Sequence, residues 1–275
     1  MSGAMKRWTL DDIAWDRFDR HKVDPDLLRI VKAASLVEHN GGDYAIYLEN
    51  VFHGDPEFQQ AARDWAQEEV QHGQALQRWA ELADPAWDFK GACRRFNDGF
   101  KLPLTATTSV RGTRTGELIA RCIVETGTSS YYTALAEAAA EPVLKQICGK
   151  IAADELRHYK LFYAHMKRYQ EMEQLGRWAR VKTGLGRLLE ADDDELACAY
   201  WAANQTSPYY ERKPNNRAYV RRAYAVYRPH HIERGISMAM KACGLSAQGR
   251  LHSSLSRVAG WVMRTRVAVL MRVNA

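Results

Sequence analysis

A chain of 275 residues, 46% hydrophobic and 26% charged, can bury a sizeable core and lacks the bias of a disordered or fibrous protein. Its longest apolar runs fall far short of the ~18 residues of a membrane span, and no apolar stretch follows Met5-Lys6-Arg7-Trp8, so neither a spanning protein nor a secretory leader is expected. The net charge of +6 is uneven: residues 213–275 hold twelve Lys or Arg against one acid, Glu233, giving +11 there and −5 in the remainder.

Five widely spaced cysteines include no C-x-x-C, which excludes a zinc knuckle and a rubredoxin-type iron site. Reduced, mostly buried thiols in a cytoplasmic protein are expected.

Helical periodicity opens at Leu27-Leu28, Val31 and Ala34-Ser35 and predicts one helix to about Asn50, with Gly41 and Gly42 as weak points. Asp55-Pro56-Glu57 is a strong helix start, and this second helix should stop at Ala83 before Pro85. Residues 84–113, with Pro85, Gly91, Pro103 and Gly112, read as a crossover. Thr115 is expected to cap a third helix, and Glu141-Pro142 marks a break before a fourth that runs to about Gly176. Beyond residue 184 the pattern is less regular until a final basic amphipathic stretch. Two helical hairpins joined by a long crossover are the connectivity of a ferritin-like four-helix bundle. An all-α fold is therefore expected: residues 1–180 as the bundle with its N-terminal extension, residues 181–275 as additional basic helices packed on or extending it.

Glu69-x-x-His72 and Glu155-x-x-His158 each set a carboxylate and an imidazole one turn apart on a helix face, where both can reach one ion. In carboxylate-bridged bundles each of the other two helices adds a glutamate. Glu38 lies 17 residues before the turn at Asp55 and Glu69 lies 14 after it; Glu125 lies 17 before Pro142 and Glu155 lies 13 after it. Antiparallel packing then brings each pair to nearly one height. Four inward carboxylates are costly to bury without cations, and four carboxylates with two imidazoles suit iron, or manganese in one position, better than structural zinc. Asp154 is a candidate hydrogen-bond partner for His72 across the bundle. Glu49 and Glu117 are rival ligands that break the height match. His165, Trp8, Trp15 and Trp65 read more simply as packing residues.

The run Gln146 to His158 (QICGKIAADELRH) resembles the second metal motif of the soluble acyl-[acyl-carrier-protein] desaturases, and Trp65 to Gly73 (WAQEEVQHG) is similar to their first. Glu125-Thr126-Gly127-Thr128 also fits. The resemblance covers roughly residues 25–170. It implies two iron ions, dioxygen as co-substrate, a ferredoxin-type electron donor, a homodimer, and removal of hydrogen from an acyl chain on acyl carrier protein. It also implies a place for Thr128 beside the oxygen-binding face; a helix-packing hydroxyl is the plainer alternative. The terminal basic stretch (Leu251, Leu255, Val258, Trp261-Val262 among Arg250, Arg257, Arg264, Arg266 and Arg272) could dock an acidic carrier, lie on an anionic membrane or simply be solvated. No nucleic-acid motif accompanies the charge. A ferroxidase or iron-handling protein, and a di-iron oxygenase of small-molecule metabolism, are the alternative functions.

Overall fold

The computed structural model describes residues 7–190, 194–205 and 207–272, all helix and loop with no strand among them. Asp24 opens α1 (Pro25–His39) by accepting the backbone N–H groups of Asp26 and Leu27, with Pro25 in the first turn. The expected single helix to Asn50 is divided: Asn40 ends α1, and α2 (Gly41–Val51) continues from it. The break follows from a close approach. A Cβ on Gly41 would stand 2.6 Å from the Cβ of Glu69, so only glycine lets the chain pass the neighbouring helix there.

That neighbour, α3 (Pro56–Ala83), starts and stops where Asp55 and Pro85 predict, with Asp55 accepting from Phe58 N–H. The crossover is not all loop. It holds α4 (Phe89–Gly99), capped by Asp88, whose Phe96 and Ala92 are buried. Gly91 and Gly99 had weakened its helical signal, and its packing outweighs that. The cap of α5 (Arg114–Ala138) is Thr113, which accepts from Gly116 N–H at 2.9 Å; Thr115, the expected cap, lies inside the helix and is buried.

Glu141 caps α6 (Pro142–Glu173) and is itself buried. It accepts from Leu144 N–H and Trp79 Nε1, both at 2.7 Å, and from Asp19 N–H at 3.1 Å, tying the start of α6 to α3 and to the N-terminal segment.

The C-terminal part is more regular than its sequence suggests, forming α7 (Arg177–Leu189), α8 (Asp194–Asn204), α9 (Arg212–Ala225), α10 (Pro229–Ala242) and α11 (Arg250–Arg272). The first two-thirds build an all-α bundle of two hairpins, α1–α2 with α3 and α5 with α6. Helix α8 packs on α1 and α4, α7 and α10 on α5, and α11 on α9 and α10.

Two buried apolar clusters fill the bundle. One holds Ile30, Leu36, Leu76, Tyr131 and Ile151; the other holds Ala45, Phe58, Ala66, Ile123 and Phe162. On each of the four long walls the chain crosses from one cluster to the other, and the crossing falls where the glutamates and histidines sit. All five cysteines are free thiols, four buried and Cys93 half-buried.

Candidate metal centre

Each crossing delivers its polar residues to one place. Glu38 comes from the end of α1, Glu69 and His72 from the middle of α3, Glu125 from α5, and Glu155 and His158 from α6. All six are buried. They form two groups whose donor atoms lie within 4.8 Å of one another: Glu38, Glu69, His72 and Glu155, and Glu69, Glu125, Glu155 and His158. Glu69 and Glu155 therefore belong to both. The spacing argument pairs each E-x-x-H with its own hairpin; the structure instead shares the two E-x-x-H glutamates between positions and gives each position one private glutamate and one histidine.

Four buried atoms here have no hydrogen-bond partner: Glu69 Oε1, Glu155 Oε1, His72 Nδ1 and His158 Nδ1. His158 Nδ1 lies 2.9 Å from Glu69 Oε1, and His72 Nδ1 lies 3.3 Å from Glu155 Oε1, so the unpartnered atoms face one another. Unsatisfied polar atoms in an apolar surround are strongly unfavourable. Two divalent cations would satisfy them and balance the four carboxylates in charge, so the residues present fit a pair of metal ions.

The outward imidazole nitrogens are held from the opposite helix. His72 Nε2 lies 3.0 Å from Asp154 Oδ2, and His158 Nε2 lies 3.0 Å from Glu68 Oε2. This is the pattern that turns a histidine's other nitrogen inward as a ligand. Trp8 Nε1 donates to the same Asp154 oxygen at 2.6 Å, and its ring stacks on His72 at 6.0 Å between centroids. Arg157 donates to both Asp154 and Glu68, the latter at 2.7 Å, and Arg7 reaches Glu68 at 2.8 Å. Thr128 Oγ1 donates to Glu155 Oε2 at 2.5 Å and lies 3.3 Å from the carbonyls of Val124 and Glu125. Tyr132, buried, donates its hydroxyl to Glu38.

Burial and neighbouring charges shift the protonation of the cluster. Burial works against charge on His158, yet Glu68 and Glu69 push it up to about 9. Burial likewise opposes charge on His72, but Asp154, Glu155, Glu38 and Glu69 hold it well above its ordinary range. Burial and the Glu69 charge raise Glu38 to about 7, and burial with Glu155 and Glu69 raises Glu125 well above the usual carboxylate range. Asp154 is the converse: despite burial, His72 and Arg157 hold it down at about 2.

The rival residues lie elsewhere. Glu117 accepts from Tyr47 and Ser109, both at 2.8 Å, and Glu49 pairs with Arg63 at 2.5 Å. His165 packs edge-on to Phe58 and accepts from Arg168. Trp15 donates to Leu10 O under the Arg78 guanidinium.

Glu68, Tyr132 and Arg157 were not read as site residues. A signal existed for one of them: Glu68 precedes Glu69 as Asp154 precedes Glu155. A third donor group, Glu137 with His230 and His231, joins α5 to α10. There Arg228 N–H donates to His231 Nδ1, so the neutral ring carries its proton on Nε2, toward Glu137. Two of its three members, Glu137 and His230, are exposed, with His230 Nε2 3.1 Å from Glu137 Oε1.

Residues 43–176 match a family model described as fatty acid desaturase, a span containing every residue of the cluster except Glu38. No curated protein matches the chain. The match covers just under half of the chain and supports a likeness to that family, and the carboxylate and histidine groups could hold a metal ion. Among the described residues no helix is long and apolar enough to cross a membrane.

Proposed function

We propose that this protein is an oxygen-dependent di-iron oxidoreductase that removes hydrogen from an unactivated C–H bond of an acyl chain, by desaturation or the closely related hydroxylation. The observation that carries the reading is the pair of overlapping donor groups sharing Glu69 and Glu155, with four buried ligand atoms left unpartnered. Mixed carboxylate and imidazole donors favour iron, with manganese tolerated in one position. When bound, the two irons would supply oxygen activation and a one- or two-electron oxidant.

The chain's own residues do the rest. Glu38 and His72 would hold one ion, Glu125 and His158 the other, and Glu69 and Glu155 would bridge them. Asp154 and Glu68 fix the two rings with Nδ1 inward. Thr128 orients Glu155 from the α5 side, and Tyr132 fixes Glu38. The apolar clusters at either end exclude bulk water from the reacting region. The resemblance further supports a cytoplasmic homodimer served by a ferredoxin-type donor, with acyl carrier protein or another acidic carrier presenting the substrate.

The test is to load the protein anaerobically with ferrous iron and add oxygen, ferredoxin with its reductase, and acyl-[acyl-carrier-protein] substrates. A new double bond or hydroxyl in the acyl product is expected. Iron turnover with mineral accumulation and unchanged acyl chains would refute the reading in favour of iron handling. Retention of two irons per chain by Glu125→Ala and Glu155→Ala proteins would refute the ligand assignment.

A further inference from the structure

Helix α11 shows an organisation unrelated to the metal centre. From Arg234 to the last residue the sequence contains no Asp or Glu, so nothing on this helix offsets its arginines. It rests on the body through a narrow inner line in which Ser256 and Gly260 are buried, small residues that let it lie close. Opposite that line, Leu251, Leu255, Val258, Val262 and Val269 are 38–57% exposed. Their spacing of four, three, four and seven residues sets them in one stripe, about 27 Å long at ~1.5 Å per residue. Trp261, 62% exposed, stands at one border of the stripe.

The charges are arranged about the stripe rather than opposite it. Arg250, Arg257 and Arg264, all exposed, follow one another at intervals of seven on the flank beyond Trp261, between it and the inner line. Arg266 lies on the other border. A groove of about 720 Å³ separates α11 from α9; Trp261, Val262, Arg266 and Val269 of α11 line one wall, and Lys213 and Arg217 add their charge from α9. Helix α9 contains no acid either.

An exposed apolar stripe bordered by arginines, with an indole at the boundary, matches the layered chemistry of a lipid headgroup region: hydrocarbon beneath, phosphate at the level of the guanidinium groups. We infer that α11 is an interfacial helix, and that it docks the protein on an anionic phospholipid surface with Leu255, Val258 and Val262 inserted and Arg257 and Arg264 at the phosphates. Its charge suits lying in the interface rather than crossing it. This goes beyond the redox reading and does not depend on it.

Co-sedimentation of the full chain with vesicles tests the inference, using phosphatidylcholine alone and phosphatidylcholine with phosphatidylglycerol. Sedimentation with the anionic vesicles, weakened by salt, is expected, with little on neutral ones. Leu255→Glu with Val262→Glu should abolish it. Arg257→Gln with Arg264→Gln should weaken it on the order of tenfold or more, since each arginine near such a surface is worth about 1 kcal/mol. These side chains are exposed, so circular dichroism should show unchanged helix content in both variants. Absence of sedimentation with anionic vesicles at low salt would overturn the inference, as would sedimentation indifferent to both double substitutions. Binding of an acyl carrier protein that the Leu255 and Val262 changes abolish, without any vesicle binding, would overturn it in favour of a protein partner.

Discussion

At the scale of single residues, the centre works by crossed support. The acid that holds His72 comes from α6 and the acid that holds His158 comes from α3, and each immediately precedes a shared glutamate. Asp154→Asn keeps the shape but removes the charge facing Nε2, so affinity for ferrous iron should fall about 10–100-fold. Anaerobic titration against a competing chelator would measure it, and Glu68→Gln should act similarly through His158. The protons in the cluster give a second prediction. His158, raised to about 9, stabilises the metal-free fold below its ordinary range and loses that contribution as pH climbs through about 9. Glu38, raised to about 7, loses its contribution at lower pH, between the ordinary carboxylate range and about 7. The metal-free protein should therefore melt at progressively lower temperature between pH 7 and 10, and metal binding at pH 7 should release protons, readable with an indicator dye. The six ligand candidates were legible because their spacing carries helical geometry. Tyr132 was not, since a tyrosine on an inward face looks like ordinary core until its hydroxyl is seen to meet Glu38.

At the scale of elements, the long helices were readable because their caps are explicit: Asp24-Pro25, Asp55-Pro56 and Glu141-Pro142 each put an acceptor before a proline. Helix α4 was missed because two glycines lowered its local signal, although Asp88 supplies a cap and Arg95 bonds the Ala202 carbonyl at 2.9 Å. Two glycines in the main hairpin do the opposite and permit contact. Gly41 faces Glu69, and Gly73 lies against the His39 ring. Gly41→Ala should push α2 from α3, destabilise the fold by about 1–3 kcal/mol and weaken metal retention; denaturant titration with a metal assay would show whether both occur. Glu141→Ala should be harsher, about 2–4 kcal/mol by the same titration, because it strands the donors of Trp79, Leu144 and Asp19 in a buried place.

At the scale of the whole molecule, the candidate ligands occupy the seam between two apolar clusters, so the centre is part of the bundle's cohesion. Each site filled at a hundredfold excess of metal over its dissociation constant should add about 2.7 kcal/mol of stability. Stripping the ions with a chelator should lower the melting temperature by many degrees, and calorimetry on both forms would record it. The all-α class and the two hairpins were legible from periodicity. The packing of α8 on α1 and of α10 on α5 was not, because tertiary docking of short helices leaves no local pattern. The placement of surplus positive charge around α11 was visible only as composition until the helix gave it direction.

Crossed support also governs motion. If the hairpins slid apart by even an ångström or two, both histidine–acid bonds would lengthen together, and the Arg157 guanidinium clasping Asp154 and Glu68 would lose its grip as well. Breathing between the hairpins is thereby braked at the very level of the cluster.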